Sequence, residues 1–153
     1  MSRIADRLAE LGLTLPAVAT PVAAYVPAVV QGNLVYTSGQ LPFVDGTLLA
    51  TGKVGGSVSA EDAKSYAATC VLNALAAADS VIGSLDRVTQ VVKVTGFVAS
   101  DPSFTGQPGV INGASNLLGE IFGDAGIHAR SAVGVAVLPL DAPVEVELVL
   151  AFA

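Results

Sequence analysis

Two charged side chains near the end of the chain, Arg130 and Glu145, are of types that could do chemistry together. A guanidinium can bind a planar anion through two parallel hydrogen bonds, and a carboxylate can act as a general base. Arg130 stands at the start of an apolar run, HARSAVGVAVLP, in a chain with seven lysines and arginines. Either a binding pocket or an ordinary exposed strand end would explain an arginine at this position. The alternation of residue types around Arg130 by itself favours the exposed strand end.

The residues around Arg130 and Glu145 alternate as in two β-strands, predicted at 129–138 and 144–152. A turn at Leu140 and Asp141 would join them into a closing hairpin with one continuous apolar face. The expected pairs on that face are Val137 with Val144, Val135 with Val146 and Val133 with Leu148. The other face would carry Arg130, Ala132, Gly134, Ala136, Glu145 and Glu147.

In this predicted hairpin Glu145 lies opposite Ala136, which is roughly 20 Å along the strand from Arg130. One chain would not bring Arg130 and Glu145 together, so a pocket lined by both would need two subunits. The small residues Ala132, Gly134 and Ala136 could let a ligand or another backbone approach. Alternatively, they only accommodate a helix of the same chain.

The rest of the chain predicts the elements that would hold this hairpin. Helices are expected at 2–11, 59–82 and 108–122, each followed by a glycine, the usual residue at a helix C-terminus. Further strands are expected at 22–30, 34–37 and 88–99, with a short strand near Leu48. We therefore expect an α+β fold, in which one mixed sheet has its helices packed on one face.

Composition limits what kind of protein this is. The chain has 153 residues, 52% of them hydrophobic and 13% charged, which predicts a single domain that buries some apolar surface against other subunits. A net charge of −6 without a basic stripe argues against nucleic acid as a partner. Without an uninterrupted apolar run of 18 residues or a signal peptide, we expect a cytoplasmic protein that does not enter membranes.

For the other side chains of catalytic types, the sequence shows no catalytic or metal-ligand partners. Cys70, the only cysteine, is expected to be a buried apolar residue of the long helix. His128, the only histidine, has no visible serine, cysteine or aspartate for a triad, and the chain offers no second histidine or cysteine for a metal site. Lys93 is expected to face outward from its strand, and the GKVGG stretch lacks the spacing of a phosphate-binding loop.

Three stretches in order resemble the RidA family, the reactive intermediate deaminases that are also called YjgF. The C-terminal segment HARSAVGVAVLPLDAPVEVELVLA has the family's Ala-Arg-Ser strand, Leu-Pro turn and Val-Glu strand. The segment AYVPAVVQGNLVYTSGQLP is similar to the family's tyrosine, hairpin and Ser-Gly-Gln pattern, and VVKVTGFVAS resembles its central strand. The likeness runs from about Val22 to the C-terminus of one domain, 1–153, with 1–20 as an N-terminal helical extension.

The resemblance implies a chorismate-mutase-like fold, a homotrimer and active sites in the clefts between subunits. It implies hydrolysis of imines such as 2-aminoacrylate to a 2-keto acid and ammonia, without a metal or cofactor. Arg130 would hold the substrate carboxylate, and Glu145 would position or activate the attacking water. The other pocket residues carried over from the family are Tyr25, Ser38, Gly39, Asn112 and Ala132.

The sequence departs from the family pattern at several places. Ala132 stands where many members have a cysteine, and either Asn112 or Asn116 could be the family's helix asparagine. The stretch 101–115 is longer than in the shorter members. Two further interpretations stay open: a trimer that binds small carboxylates without turnover, and an endoribonuclease or translation inhibitor, as older family descriptions have it.

Overall fold

Three α-helices of the described residues form where the sequence predicts them. The computed structural model describes residues 2–21 and 23–153, and its helices are α1 (Arg3–Glu10), α2 (Ala60–Ile82) and α3 (Gln107–Phe122). Ser2 and Ser59 cap α1 and α2 by accepting a hydrogen bond from a backbone N–H of the first turn. Gly83 ends α2 in the left-handed conformation, at φ 83°.

The described part of the chain forms seven strands in two sheets. They are β1 (Ala28–Gln31), β2 (Leu34–Thr37), β3 (Phe43–Val44), β4 (Thr47–Leu48), β5 (Val88–Ala99), β6 (Ala129–Val135) and β7 (Val144–Phe152). The main sheet has the order β1-β2-β7-β5-β6, and β3 and β4 form a small separate hairpin. In the main sheet of the described residues, β6 runs parallel to β5 and the other neighbouring strands are antiparallel. The expected α+β class with one mixed main sheet is confirmed.

The predicted first strand, 22–30, is mostly wrong. The strand begins at Ala28, and Val22 lies outside the described residues. Pro27 has no N–H to donate to a neighbouring strand, and Tyr25 and Val26 are exposed rather than paired in the sheet. The first hairpin is therefore shorter than its apolar sequence suggests.

The predicted closing hairpin is also wrong, because β5 lies between β6 and β7. Val133 pairs with Phe97 of β5 instead of Leu148, and it is 43% exposed whereas Leu148 is 1% exposed. The two apolar faces that the alternation seemed to join thus point to opposite sides of the sheet. Alternation fixes which residues of a strand share a face, but the twelve-residue β5 alternates as well and can pair with both strands.

The core lies between the main sheet and helices α2 and α3. Its sheet side includes the fully buried residues Val35, Val91, Val94, Val98, Leu148 and Leu150. Helix α1 belongs to the same core through Ile4 and Leu8, so the predicted N-terminal extension is packed against the rest of the chain. Cys70 of α2 is completely buried, as expected.

Helix α2 is long and apolar enough to cross a membrane by length and composition alone. Half of its apolar window is nevertheless buried inside the protein, where α2 packs against α3 and β7. The core helix of a globular domain has the same length and composition, so α2 is weak support for a membrane span.

Candidate active site

Arg130 projects from β6 toward α3 and is held there by two neutral oxygens. Its Nη1 donates to Asn112 Oδ1 at 2.8 Å and to Ser115 Oγ at 3.2 Å. Asn112 and Ser115 are three residues apart on α3 and therefore lie on the same side of that helix. Of the two candidate asparagines, Asn112 is the one that contacts Arg130. The 101–115 stretch supplies both partners, because residues 107–115 form the first half of α3.

Most N–H donors of the Arg130 guanidinium have no partner among the residues that the structure describes. A guanidinium has five N–H donors, and the two on Nη1 are directed at Asn112 and Ser115. Among the described residues, the ion pairs are Arg7 with Glu10 and Lys53 with Asp141, so no carboxylate there neutralises Arg130. The Nε–H and one N–H of Nη2 form a parallel pair that fits a carboxylate.

His128 has a serine partner that is not apparent from the sequence. Its Nε2 is 2.9 Å from Ser115 Oγ, and its Nδ1 is 2.6 Å from the carbonyl oxygen of Gly126. A carbonyl oxygen can only accept, so Nδ1 carries a hydrogen, and in the uncharged form of the ring Nε2 accepts the Ser115 hydroxyl. Ser115 lies 13 residues before His128 on another element, and only packing of α3 against β6 brings the two together.

Glu145 lies on the opposite face of the sheet, beside Gly39. The backbone of Gln40 pairs with Val146, with N···O distances of 2.9 and 3.0 Å, which places Gly39 against the Glu145 side chain. A Cβ atom at residue 39 would be only 2.4 Å from Glu145 Oε1. Partial burial raises the pKa of the Glu145 carboxyl above its ordinary value, and the negative charge of Glu147 raises it further.

Ser38 connects this region to the segment that carries Tyr25. The Ser38 hydroxyl donates to the carbonyl oxygen of Val26 at 2.6 Å, and its N–H donates to the carbonyl oxygen of Pro27 at 2.8 Å. Tyr25, next to Val26, is 58% exposed. Ser38 and Gly39 thus lie on the Glu145 side of the molecule, and the tether at Val26 holds the Tyr25 segment near them.

The predicted site residues therefore form two separate groups in one chain. Arg130 pairs with Val94 of β5, a residue buried under the helices, whereas Glu145 pairs with Phe97, three positions later and on the open face. Two strand spacings across and three residues along correspond to roughly 14 Å between the Cα atoms. The expected register with Ala136 opposite Glu145 is wrong, but the structure still does not bring Arg130 and Glu145 together within one chain.

The small residues of β6 accommodate a helix of the same chain. A Cβ atom at Gly134 would be 2.7 Å from Nε2 of Gln107, in the first turn of α3, and Ala132 packs against the main core. Ala136 lies beyond the end of β6. The structure thus supports the simpler of the two explanations for these small residues.

Within the described ranges, the other side chains of catalytic type form no further cluster. Lys93 pairs with Val149 and lies on the open face of the sheet, which agrees with the outward orientation predicted for it. Among residues 2–21 and 23–153, no group of three or more histidine, cysteine, aspartate or glutamate side chains could hold a metal ion. Among the described residues, the side chains suited to catalysis therefore belong to two groups. The Arg130 group consists of Arg130, Asn112, Ser115 and His128, and the Glu145 group of Glu145, Gly39, Ser38 and Tyr25.

Comparison with known proteins identifies relatives across nearly the whole chain. The model of a family described as "YjgF/chorismate mutase-like, putative endoribonuclease" matches residues 5–153. Protein TCP17 of Trypanosoma cruzi is 45% identical over 146 residues, which is 95% of this chain and 91% of that protein. The crystal structure of Atu1372 from Agrobacterium tumefaciens is 45% identical, with a TM-score of 0.92 over 99% of this chain and 93% of that chain.

A more distant relative was solved with a small molecule. The crystal structure of Escherichia coli TdcF with bound serine is 25% identical, with a TM-score of 0.66 over 92% of this chain and 96% of that chain. The higher TM-score of Atu1372 accompanies its more complete coverage of this chain.

Proposed function

Since the chain belongs to the YjgF/chorismate mutase-like family, we propose that it hydrolyses small imines derived from amino acids. The substrates would be 2-aminoacrylate and related compounds, whose imine form reacts with water to give a 2-keto acid and ammonia. Water adds to the C=N carbon, and the resulting carbinolamine then loses ammonia. These steps need no redox change and no covalent bond to the protein.

The main support for this proposal is the set of side chains that contact Arg130. Its guanidinium has neutral partners on Nη1 and no carboxylate partner among residues 2–21 and 23–153. An anchored but unneutralised arginine is suited to a substrate that brings its own carboxylate. Two parallel hydrogen bonds would fix the carboxylate plane and, with it, the imine carbon one bond away.

Glu145 is proposed to handle protons at the imine carbon. Burial and the charge of Glu147 raise its pKa, which makes the carboxylate a better base while it is deprotonated. It could take a proton from water during attack and return one to the departing nitrogen. Imines are already electrophilic, so modest proton transfer and good orientation are sufficient.

Because Arg130 and Glu145 lie on opposite faces of the sheet, we propose that the complete site forms between subunits of a homotrimer. The open face carries three large exposed side chains, Val29, Tyr36 and Val133, around the strand that contributes Glu145. Val29 and Tyr36 are direct neighbours across β1 and β2, and a contiguous patch of exposed apolar side chains is typical of a surface that another subunit covers. The Arg130 group of one subunit would then meet the Tyr25, Ser38 and Glu145 group of the next.

Action in the cytoplasm, without a metal, cofactor or nucleic-acid partner, is part of the same proposal.

A coupled assay tests the activity. A pyridoxal-phosphate dehydratase generates the imine in the presence of the protein, and formation of the 2-keto acid is followed. We expect acceleration by the wild type and a loss of about 100-fold or more in kcat/KM for Arg130→Ala and Glu145→Gln. Arg3→Ala, which removes an exposed arginine of α1, is the matched control. Wild-type rates that equal the uncatalysed reaction would reject the proposal.

The second candidate is binding of small carboxylates without turnover. The relative TdcF was crystallised with bound serine, an amino acid with a free carboxylate, which favours this alternative. Binding of pyruvate that depends on Arg130, without ammonia release from any imine tested, would establish it.

RNA cleavage is the third possibility, because the family description includes an endoribonuclease. The net charge of −6 disfavours binding to a phosphate backbone. Cleavage that co-purifies with the wild type and disappears in a variant of the site would support it, whereas cleavage unaffected by Arg130→Ala would indicate a contaminant.

A further inference from the structure

Behind the guanidinium of Arg130 lies a chain of hydrogen bonds that ends on the backbone. It runs from Arg130 Nη1 to Ser115 Oγ, from Ser115 Oγ to His128 Nε2, and from His128 Nδ1 to the Gly126 carbonyl oxygen. We propose that Ser115 and His128 are positioning residues, which orient Arg130 so that its Nε–Nη2 edge receives a planar carboxylate. The inference rests on the proposed role of Arg130 as the carboxylate-binding residue.

The direction of each hydrogen bond in this chain follows from its fixed end. The carbonyl of Gly126 accepts from Nδ1, and in the uncharged form of the ring Nε2 then has a lone pair that accepts the Ser115 hydroxyl hydrogen. The lone pairs of Ser115 Oγ then face away from the ring, where Arg130 Nη1 donates to one of them. A serine hydroxyl usually rotates to suit its surroundings, but His128 fixes this one as an acceptor for Arg130.

Comparison with other hydroxyls in helices shows what His128 changes. Ser65, Thr69 and Ser80 of α2 all donate to a carbonyl three or four residues earlier in their own helix. The hydroxyl of Ser115 in α3 is instead 2.9 Å from Nε2 of His128, to which it donates in the tautomer with hydrogen on Nδ1. Without the imidazole, Ser115 would be free to bond to its own helix in the same way, and its lone pairs would no longer be directed at Arg130.

Asn112 completes the arrangement on the other hydrogen of Nη1. With both Nη1 hydrogens directed at α3, the guanidinium plane is defined by two acceptors three residues apart on a rigid helix. Three donors then have no partner among the described residues, Nε–H and the two on Nη2, and Nε–H with one of the Nη2 hydrogens forms the side-on pair that matches a carboxylate. This arrangement would favour ligands with a planar carboxylate, which accepts two parallel hydrogen bonds, over ligands that accept only one.

The single histidine makes the chain directly observable by NMR. In protein labelled with ¹⁵N-histidine, all imidazole signals come from His128, and we expect the tautomer with hydrogen on Nδ1. Pyruvate titration then measures the Kd of the site in wild type, Ser115→Ala, His128→Ala and the conservative variant Ser115→Thr. We expect Kd to rise about tenfold in the two alanine variants and to stay within about twofold of wild type in Ser115→Thr. Equal melting temperatures would show that the variants are folded.

Deamination kinetics separate a positioning role from a general loss of structure. Ser115→Ala and His128→Ala should raise KM about tenfold with kcat changed less than about twofold, because substrate is held less well and the proton chemistry of Glu145 is intact. The Nε2–H tautomer, or wild-type Kd and KM in both alanine variants, would overturn the proposal.

The outcomes also separate this inference from the proposed hydrolysis. Pyruvate binding that weakens in the alanine variants, without deamination by the wild type, would uphold the positioning role and reject the hydrolysis. Deamination at wild-type KM in both alanine variants would uphold the hydrolysis and reject the positioning role. Failure of the wild type to bind pyruvate would reject the positioning role together with the carboxylate-binding role of Arg130.

Discussion

Gly39 lies directly against the carboxylate of Glu145, so closely that a Cβ atom at residue 39 would be 2.4 Å from Oε1 and 2.8 Å from the carboxyl carbon. Real Cβ contacts of this length do not occur, so any other residue at position 39 must displace the Glu145 side chain. The absence of a side chain at Gly39 is therefore part of what positions Glu145.

Gly39→Ala should reduce activity more than stability. Glu145 is only partly buried and can swing away, so we expect kcat/KM for the imine to fall about tenfold or more while the melting temperature changes little. Gly119→Ala is the control, because a Cβ atom there meets nothing within 4 Å on the exposed side of α3. Wild-type activity in Gly39→Ala would show that the position of Glu145 is unimportant.

Glu147→Gln should shift the acidic limb of the pH–rate profile. The charge of Glu147 is the second cause, after burial, of the raised Glu145 pKa, so its removal should lower that pKa. The rate depends on deprotonated Glu145 and falls as the pH drops through the Glu145 pKa. The variant should therefore retain activity to lower pH, and an unchanged acidic limb would contradict the role of Glu145 as base.

The same pKa affects stability with a definite sign. A carboxyl group whose pKa is raised in the folded state binds its proton more tightly there than in the unfolded chain. Its contribution to the free energy of unfolding is favourable below its ordinary pKa and is lost as the pH rises through the raised value. Glu145→Gln should remove this pH dependence, which denaturant unfolding at several pH values above 4 would measure.

Gly113→Ala should destabilise the protein by about 2 kcal/mol or more. A Cβ atom at residue 113 would be 1.9 Å from the carbonyl oxygen of Lys64, so α2 and α3 would have to move apart. Gly109→Ala, in the same helix with nothing within 4 Å, is the matched control and should be neutral or stabilising. Chemical denaturation measures both changes, and equal effects of the two would refute close helix contact at Gly113.

Cys70 should be unreactive in the native protein. Complete burial raises the pKa of its thiol well above the ordinary value, and the nearby charge of Glu145 raises it further. A disulfide reagent at pH 8 should therefore modify the thiol only after denaturant is added. Rapid reaction of the native protein would show that the α2–sheet interface opens easily.

Local patterns in the sequence predicted the helices and several strands closely. Ser59 and Gly83 delimit α2 because a serine can cap a first turn and a glycine can adopt the left-handed conformation that ends a helix. The alternating run at 88–99 forms β5 over the same residues. These features depend on interactions between residues close in the chain, which the sequence displays directly.

The choice of strand neighbours was decided by the tertiary structure alone. The residues of β6 and β7 alternate in a way that permits a hairpin, yet β5 separates them, and Val133 faces away from Leu148. Likewise, nothing local connects Ser115 with His128, because they meet only when α3 packs against the edge of the sheet. The sequence by itself determined the residue types of the site and the faces of its strands. Which elements lie side by side, and thus the support behind Arg130, depended on long-range packing that leaves no periodic signal in the chain.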